Sequence, residues 1–222
     1  MHAEVGPIEP NLQKHSFGEA IYTVSATSKE MSMPVNTLED LLVEQLRDLY
    51  DAEKQLVRAL PKMAEAANSE DLQQAIQSHL EETKNQVSRL ERVFQELDRP
   101  AKGKTCQAMR GLVEEGGEAL DGDSPLTDLA IIAAAQRVEH YEISAYGTAR
   151  AMAQQLGQEA VASILEETEE EEKAADSKLT DIATDLLGQV GSGIEAEEQE
   201  EAAPHRKSTQ PGSGARRRAA RG

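Results

Sequence analysis

Apolar residues recur at steps of three and four positions along most of the chain. The first such stretch carries Leu42, Leu46 and Leu49, and the spacing resumes at Leu56 and Leu60. Three later stretches repeat the pattern, over Leu72 to Leu97, Leu129 to Tyr146 and Val161 to Leu186. This is the period of an α-helix that buries one face, and no run alternates as a strand would. The pattern therefore predicts four long helices, A to D.

Capping residues, prolines and glycines predict the ends of these helices. Starts are expected at Asn36 for helix A, at Asn68 or Ser69 for helix B and at Ser124-Pro125 for helix C. Ends are expected at Arg99-Pro100 for helix B, before Gly157 for helix C and at Gly188 for helix D. Because Pro61 lacks a backbone N–H, it is expected to kink helix A or to end it near Leu60.

The lengths of the connections predict how the helices are arranged. The A–B and C–D connections are short, whereas the B–C connection is long and carries a short helix from about Thr105 to Leu120. An all-α, ferritin-like antiparallel four-helix bundle has this layout, with one long crossover that carries the short extra helix. We expect this bundle over residues 34–190. Residues 1–33 and 191–222 show no sustained helical period and are predicted to be disordered tails.

Composition and charge favour helices and a surface that attracts cations. Aromatic residues make up 3% of the chain and there is no Trp, which argues against a β-sandwich or barrel. The net charge of −18 repels nucleic acid and anionic membranes. Binding to nucleic acid is therefore expected only through a C-terminal arginine cluster, at Arg216, Arg217, Arg218 and Arg221.

Two further features bear on the location of the protein. No apolar run approaches the roughly 20 residues that a membrane-spanning helix needs. A single cysteine, Cys106, excludes an intrachain disulfide, which suits a reducing compartment. We therefore expect a cytoplasmic protein without a membrane span.

Charged residues occupy positions in the apolar stripes where leucine would be expected. In helix A, Glu53 lies between Leu49 and Leu56, and in helix B a His-x-x-Glu pair lies beside Leu80. The candidate metal ligands are Glu53 on helix A, His79 and Glu82 on helix B, Glu139 and Glu142 on helix C and Glu172 on helix D, with His140 as a second imidazole. Burial of an unpaired carboxylate is costly, so such residues need a compensating partner.

A shared cluster of cations would compensate these carboxylates. Facing helices of a four-helix bundle can assemble a dinuclear centre from inward glutamates and a few histidines. Oxygen ligands with some nitrogen favour two iron or manganese ions. Taken singly, each residue also has an ordinary structural interpretation, but an inward acid on all four helices favours the metal site. Tyr50 and Tyr146, each one turn from a candidate ligand, could hydrogen-bond a ligand carboxylate or simply pack.

Four segments of the chain are similar to one bacterial family. They are LYDAEKQL at residues 49–56, HLEET at 79–83, KTC at 104–106 and AAQRVEHYE at 134–142, of which VEHYE is a specific match. These segments resemble the YciE/YciF-like family of ferritin-superfamily stress proteins, over residues 36–187. The resemblance implies a helical bundle with a dinuclear metal site, commonly dimeric, so we expect a homodimer.

The order of glutamate and histidine along the helices differs from that in the di-iron bundles of that superfamily. Those bundles usually carry Glu-x-x-His on two helices. Helix B has the reverse order, His79-x-x-Glu82, and helix D has Glu169-x-x-Glu172 without a histidine. The two glutamates of helix C do resemble the third helix of rubrerythrin-like proteins. The resemblance therefore implies a centre richer in carboxylates and poorer in imidazoles.

These observations support hypotheses of different classes. The first is a dinuclear metal protein of the stress response that handles metal or reduces oxygen or peroxide, as a di-metal oxidase or peroxidase would. The alternative is a metal-free oligomeric bundle that acts as an interaction protein, which the missing histidine on helix D favours. A third is binding to nucleic acid or a partner through the C-terminal tail.

Overall fold

Five α-helices and their connections make up the computed structural model, which describes residues 35–120 and 125–202, with side chains for 35–120 and 126–190. The helices are α1 (Leu38–Ala66), α2 (Glu70–Glu96), α3 (Gln107–Glu118), α4 (Pro125–Gln155) and α5 (Glu159–Ala202). No strand occurs in the described residues. The all-α prediction is confirmed. The predicted N-terminal tail, residues 1–33, lies outside the described part of the chain, as do residues 203–222 of the predicted C-terminal tail. Residues 191–202 of that tail, which was predicted over 191–222, are helical and belong to α5.

The four long helices form two hairpins that pack face to face. The α1–α2 hairpin contacts the α4–α5 hairpin through α1 against α4 and α2 against α5, while α3 lies against α1 and α4. The crossover between α2 and α4 is fixed to α1, because the Cys106 N–H donates to Asp51 Oδ2 at 2.9 Å and Gln55 Nε2 donates to the Cys106 carbonyl at 3.1 Å. This is the ferritin-like antiparallel bundle with one crossover that the sequence predicted.

The start of α1 differs by one residue from the prediction. Thr37, not Asn36, is the N-cap, since its side chain accepts from the Asp40 N–H while Asp40 Oδ2 accepts from the Thr37 N–H, each at 3.0 Å. This reciprocal capping box satisfies two backbone donors at the helix end. One of the two expectations for Pro61 was that it ends the helix near Leu60. This is wrong, because α1 continues through Pro61 to Ala66. Buried Met63 and Ala64 continue the apolar face beyond the proline, so packing offsets the lost backbone bond.

The predicted end of helix D is wrong, whereas the predicted starts of helices B and C are right. Ser69 caps α2, and α4 begins at Pro125. Gly157 separates α4 from α5 and has a φ of +71°, which suits glycine. However, α5 passes through Gly188 and continues to Ala202. An interior glycine costs a helix only about 1 kcal/mol, which is too little to end it.

A layer of polar side chains divides the core of the bundle. On one side Leu46, Phe94 and Leu165 belong to one buried apolar cluster. On the other side Leu56 and Ile132 belong to a second. Glu53 lies on α1 between the two clusters and is fully buried. Within the described residues, no helix is both long and apolar enough to cross a membrane.

Candidate metal centre

Four buried side chains from three helices converge in the polar layer. They are His79 on α2, Glu139 and Glu142 on α4 and Glu172 on α5, and one ligand atom of each lies within 4.8 Å of those of the others. His79 Nε2 is 3.5 Å from Glu139 Oε1 and 3.7 Å from Glu172 Oε2. All four residues were candidate ligands in the sequence, and the structure brings them together.

The helical period explains why these side chains meet. Glu139 and Glu142 are three residues apart, so they share one face of α4. They replace apolar residues in the stripe that also buries Ile132 and Val138. Glu172 continues the buried stripe of α5 that passes through Leu165 and Thr168. The same pattern that buries leucines elsewhere therefore carries the carboxylates into the core.

Glu53 of α1 is buried beside this group and has one protein partner. The Tyr146 hydroxyl on α4 donates a hydrogen bond to Glu53 Oε1. Tyr146 lies one turn after Glu142 and is itself fully buried. Its hydroxyl is one of the two that were expected either to hydrogen-bond a ligand carboxylate or to pack, and it does bond to a candidate ligand. The other marked hydroxyl, that of Tyr50, donates instead to Glu91 Oε1 at 2.8 Å.

Several buried polar atoms in this layer lack any hydrogen-bond partner. Among the described side chains they are Glu53 Oε2, His79 Nδ1, Gln86 Oε1, Glu139 Oε2, both Glu142 oxygens and Glu172 Oε2. An orphaned buried acceptor costs about 1–3 kcal/mol, and more when it is charged. The atoms without a partner are therefore concentrated at one level of the bundle.

The electrostatics of the layer point the same way. Burial raises the pKa of Glu53 to about 7 and that of Glu172 to about 7. Burial, followed by the neighbouring carboxylates, raises the pKa of Glu142 well above its ordinary value. Burial lowers the pKa of His79, but Glu139 and the other acids outweigh this and raise it to about 10. Mutual repulsion and desolvation therefore favour protons, or a metal cation, in the layer.

Glu82 and His140 were also candidate ligands, and the structure does not bring them into the group. Glu82 is 43% exposed and its Oε2 lies 3.5 Å from His79 Nδ1, the ring nitrogen opposite the one that faces Glu139. His140 is 71% exposed and lies 3.5 Å from Asp176. Of the two candidate imidazoles, only His79 therefore faces the candidate ligands Glu139 and Glu172.

Gln86 of α2 extends the face that carries His79, as the sequence indicates, and it contacts a candidate ligand. Its Nε2 donates to Glu172 Oε1 at 2.6 Å and to Glu171 Oε2 at 3.1 Å. Two helical turns of 3.6 residues span about seven positions, so Gln86 lies almost directly in line with His79. The helical period therefore places Gln86 on the face of α2 that carries His79, although Gln86 was not among the candidate ligands.

The donor set fits iron or manganese. Carboxylate oxygens dominate and one imidazole nitrogen joins them, which suits hard divalent cations and disfavours copper. The orphaned oxygens of Glu139 and Glu142 are free to bind an ion without losing a protein hydrogen bond. The residues present therefore fit a metal site made of carboxylates and one histidine.

Comparisons with known proteins agree with this fold. The family described as “Domain of unknown function (DUF892)” matches residues 37–190. Protein YciF of Escherichia coli (strain K12) is 49% identical over 154 residues, which cover 68% of this chain and 93% of that protein.

Solved structures give the same picture. The crystal structure of the E. coli stress protein YciF has a TM-score of 0.67 at 47% identity, and the match covers 69% of this chain and 98% of that one. YcfI from Rhodopseudomonas palustris has a TM-score of 0.65 at 47% identity, over 67% of this chain and 96% of that one. These matches confirm the resemblance found in the sequence, and the chain belongs to the DUF892 family of YciF-like proteins.

Proposed function

We propose that this protein binds two iron or manganese ions in the polar layer of its bundle. The ligands are Glu53, His79, Glu139, Glu142 and Glu172. The observation that carries the proposal is the set of orphaned buried atoms, six of which belong to these five residues. Two cations at this level would satisfy the five carboxylate oxygens among those atoms and remove the repulsion between the carboxylates.

Neighbouring side chains would hold the ligands in place. Tyr146 fixes one oxygen of Glu53, Gln86 fixes one oxygen of Glu172, and Glu82 faces the outer nitrogen of His79. Partners of this kind set the orientation of a ligand and the tautomer of an imidazole. His79 would then offer Nε2 as the nitrogen ligand.

The chemistry that suits such a centre is the reduction of oxygen or peroxide, or the handling of the metal itself. A pair of redox-active ions supplies electrons and a template for the bound oxygen species. The E. coli relative is described as a stress protein, and we extend a stress role to this chain. A cytoplasmic homodimer is part of the same proposal.

A metal-free interaction protein is the second candidate. The raised pKa values of Glu53 and Glu172 favour it, because protonated acids together with a protonated His79 could balance the layer without metal. In that case the bundle would serve only as a scaffold for other contacts. The two candidates differ in whether added metal stabilises the fold.

Unfolding measurements distinguish the metal centre from the metal-free interaction protein. Wild type and Glu142→Leu are unfolded by heat and by urea, each with and without Mn(II), under anaerobic conditions. Glu142 is the sharpest position because neither of its oxygens accepts a hydrogen bond. Metal-free Glu142→Leu should be at least as stable as wild type, since a repelled buried carboxylate is replaced by an apolar side chain. Wild type should gain about 2.7 kcal/mol when Mn(II) is 100-fold above its dissociation constant, and the variant should gain almost nothing.

Glu169→Leu is the matched control. Glu169 is also a buried glutamate, but Arg150 Nε and Lys173 Nζ each lie 2.7 Å from its oxygens. This variant should keep the full Mn(II) stabilisation. Absence of metal from purified wild type, together with no shift on adding Mn(II) or Fe(II), would refute the metal centre and leave the interaction protein.

A further inference from the structure

A gap in the packing lies under the short helix α3, outside the candidate metal centre. It has a volume of about 270 Å³ and lies between α1, α3 and α4. Its walls are mostly apolar and include Leu56, Met63 and Val138, whereas none of the five candidate ligands lines it. Exposed residues of α1 and α3 line it as well, so the cavity opens to solvent. Binding in this cavity would therefore be separate from the proposed metal function.

Small residues create this space. Ala59 on α1 and Ala134 on α4 line it, and so do two adjacent glycines of α3, Gly116 and Gly117. Glycine is one of the least favourable residues within a helix, so the pair weakens α3. A Cβ atom added at Gly117 would meet nothing within 4 Å. The walls of an unfilled gap lose dispersion contacts, which an apolar guest would restore.

Two positive charges lie at the mouth of the cavity. Arg58 and Lys62 are one turn apart on α1, and both are exposed and line the cavity. Neither forms an ion pair or a hydrogen bond with another residue in the described part of the chain. Like charges at this spacing on a helix repel each other. Since no carboxylate of the described residues lines the cavity, an anion held between the two cations would relieve this repulsion.

The negative charge of the whole chain does not cancel this local attraction. The net charge is −18, but exposed charges are screened over roughly 8 Å at physiological ionic strength. Two acids of α3 beside the cavity wall already have partners. Glu114 lies 2.9 Å from Arg110. Glu115 lies 3.5 Å from Arg137. The two cations at the mouth therefore determine which sign of charge the cavity prefers.

We propose that this cavity binds a compact anionic amphiphile, namely a monocarboxylate with an apolar body. A dry cavity of about 150 Å³ accepts benzene, so one of about 270 Å³ has room for roughly ten non-hydrogen atoms. The apolar body lies beneath α3 against Leu112, Val113 and Leu120, which line the cavity. The carboxylate lies between Arg58 and Lys62, where a guanidinium can donate two parallel hydrogen bonds to it. This site needs no metal and goes beyond the proposed function.

The test compares three probes that share one eight-carbon chain and differ in charge. Octanoate, octanol and octylammonium are titrated into the full-length protein by calorimetry, each below its critical micelle concentration. Octanoate should saturate a single site per chain. Octanol should bind about fivefold more weakly, because two exposed ion pairs are lost, and octylammonium should bind more weakly than octanol. Equal affinities of the three probes, or no saturation by octanoate, would overturn the proposal.

A double variant tests the two cations. Arg58→Gln/Lys62→Gln changes only exposed positions, so the bundle should stay folded. It should lower octanoate affinity about fivefold and leave octanol affinity unchanged. The matched control is Arg92→Gln/Lys102→Gln, which changes the net charge equally at exposed positions outside the cavity. The control should bind octanoate within twofold of wild type. Equal losses in the two double variants would make the attraction non-specific and overturn the site.

Filling the cavity tests where octanoate binds. Gly117→Leu adds a side chain at an exposed lining position and should weaken octanoate binding at least tenfold. Gly111→Leu is the matched control on α3, because a Cβ atom there also meets nothing within 4 Å and the position does not line the cavity. It should stay within twofold of wild type. Ala59→Phe fills the space from α1 and should act as Gly117→Leu does. Undiminished octanoate binding in both filling variants would overturn the proposal.

A second copy of this chain is the rival occupant of the cavity. Sedimentation velocity of wild type, Gly117→Leu and Gly111→Leu at equal concentrations distinguishes the two occupants. The proposal expects one oligomeric state for all three proteins, with and without octanoate. A changed oligomeric state in Gly117→Leu alone, together with no saturable octanoate binding by wild type, would make this face an interface between copies and overturn the proposal.

Discussion

Two groups of buried carboxylates lie in this bundle, and they differ in what their oxygens face. In the first group each acid meets donors from the protein. Asp128 accepts the backbone N–H groups of Asn68 and Ser69, each at 2.8 Å. Glu169 is held by Arg150 and Lys173. These acids have structural roles that the protein itself completes.

The second group is the candidate metal centre, where carboxylates mostly face one another. Glu142 has no hydrogen-bond partner, and Glu139 and Glu172 each keep one oxygen without a partner. The imidazole of His79 is the cation that lies within 4 Å of Glu139 and Glu172 among the described residues. Among the described residues, His79 is thus the cationic side chain that faces both of these glutamates.

The contrast shows that burial alone does not identify a functional acid. Asp128 is 1% exposed and Glu142 is 0% exposed, so exposure cannot separate them. Their partners do separate them. A buried carboxylate with matched donors stabilises the fold, whereas one without donors destabilises it until a proton or a cation arrives.

The largest expected effect is the response of the metal-free protein to pH. The folded-state pKa of Glu53 and of Glu172 is raised from 4.5 to about 7. The folded protein thus holds these protons more tightly than the unfolded chain, and the resulting stability is present below pH 4.5 and lost as pH rises through 7. At 1.36 kcal/mol per pKa unit, one such group accounts for about 3 kcal/mol.

Urea unfolding of the metal-free protein between pH 5 and 8 measures this loss, and His79, with its pKa raised to about 10, extends it to higher pH. Mn(II) must displace the protons, so its stabilising effect should grow over the same interval. Glu142→Leu should flatten the pH dependence of the metal-free protein. A metal-free wild type that becomes more stable from pH 5 to 7 would contradict the assignment of these carboxylates.

The next effect concerns the first group of acids. Asp128→Ala should lower the free energy of unfolding by about 2–3 kcal/mol, because two backbone donors at the start of α2 lose their acceptor. Asp128→Asn keeps one side-chain oxygen and should lose less. Urea unfolding should show the same loss with and without Mn(II). A loss below about 0.5 kcal/mol, or a weaker response to Mn(II), would show that the two groups are not distinct.

The helices and the buried acids could be predicted from the sequence because both follow one periodicity. Glu53, Glu139 and Glu172 stand at stripe positions, so the rule that finds a buried leucine also finds them. His140 follows Glu139 by one residue, which rotates it about 100° around the helix and out of the core. The structure accordingly leaves His140 exposed.

The ends of the helices and some side-chain contacts depend on small energy differences. The periodicity of apolar residues gives no information about these differences. Gly188 lies inside α5 and Pro61 inside α1, because packing of neighbouring apolar residues outweighs a local preference of a few kcal/mol at most. Glu82 lies about 60° from His79 on the helix, close enough to be a ligand or a flanking partner. Only the side-chain geometry shows which ring nitrogen it meets.

The smallest expected effect tests that geometry. Glu82→Leu removes the carboxylate that faces His79 Nδ1, and should weaken Mn(II) binding about tenfold, as loss of a partner that orients a metal-bound histidine does. Glu82→Gln keeps an acceptor oxygen and should weaken it less. Because Glu82 is 43% exposed, neither change should unfold the bundle. Isothermal titration with Mn(II) measures the affinity. A loss as complete as that of Glu142→Leu would make Glu82 a ligand, and no loss at all would mean that the imidazole is oriented without it.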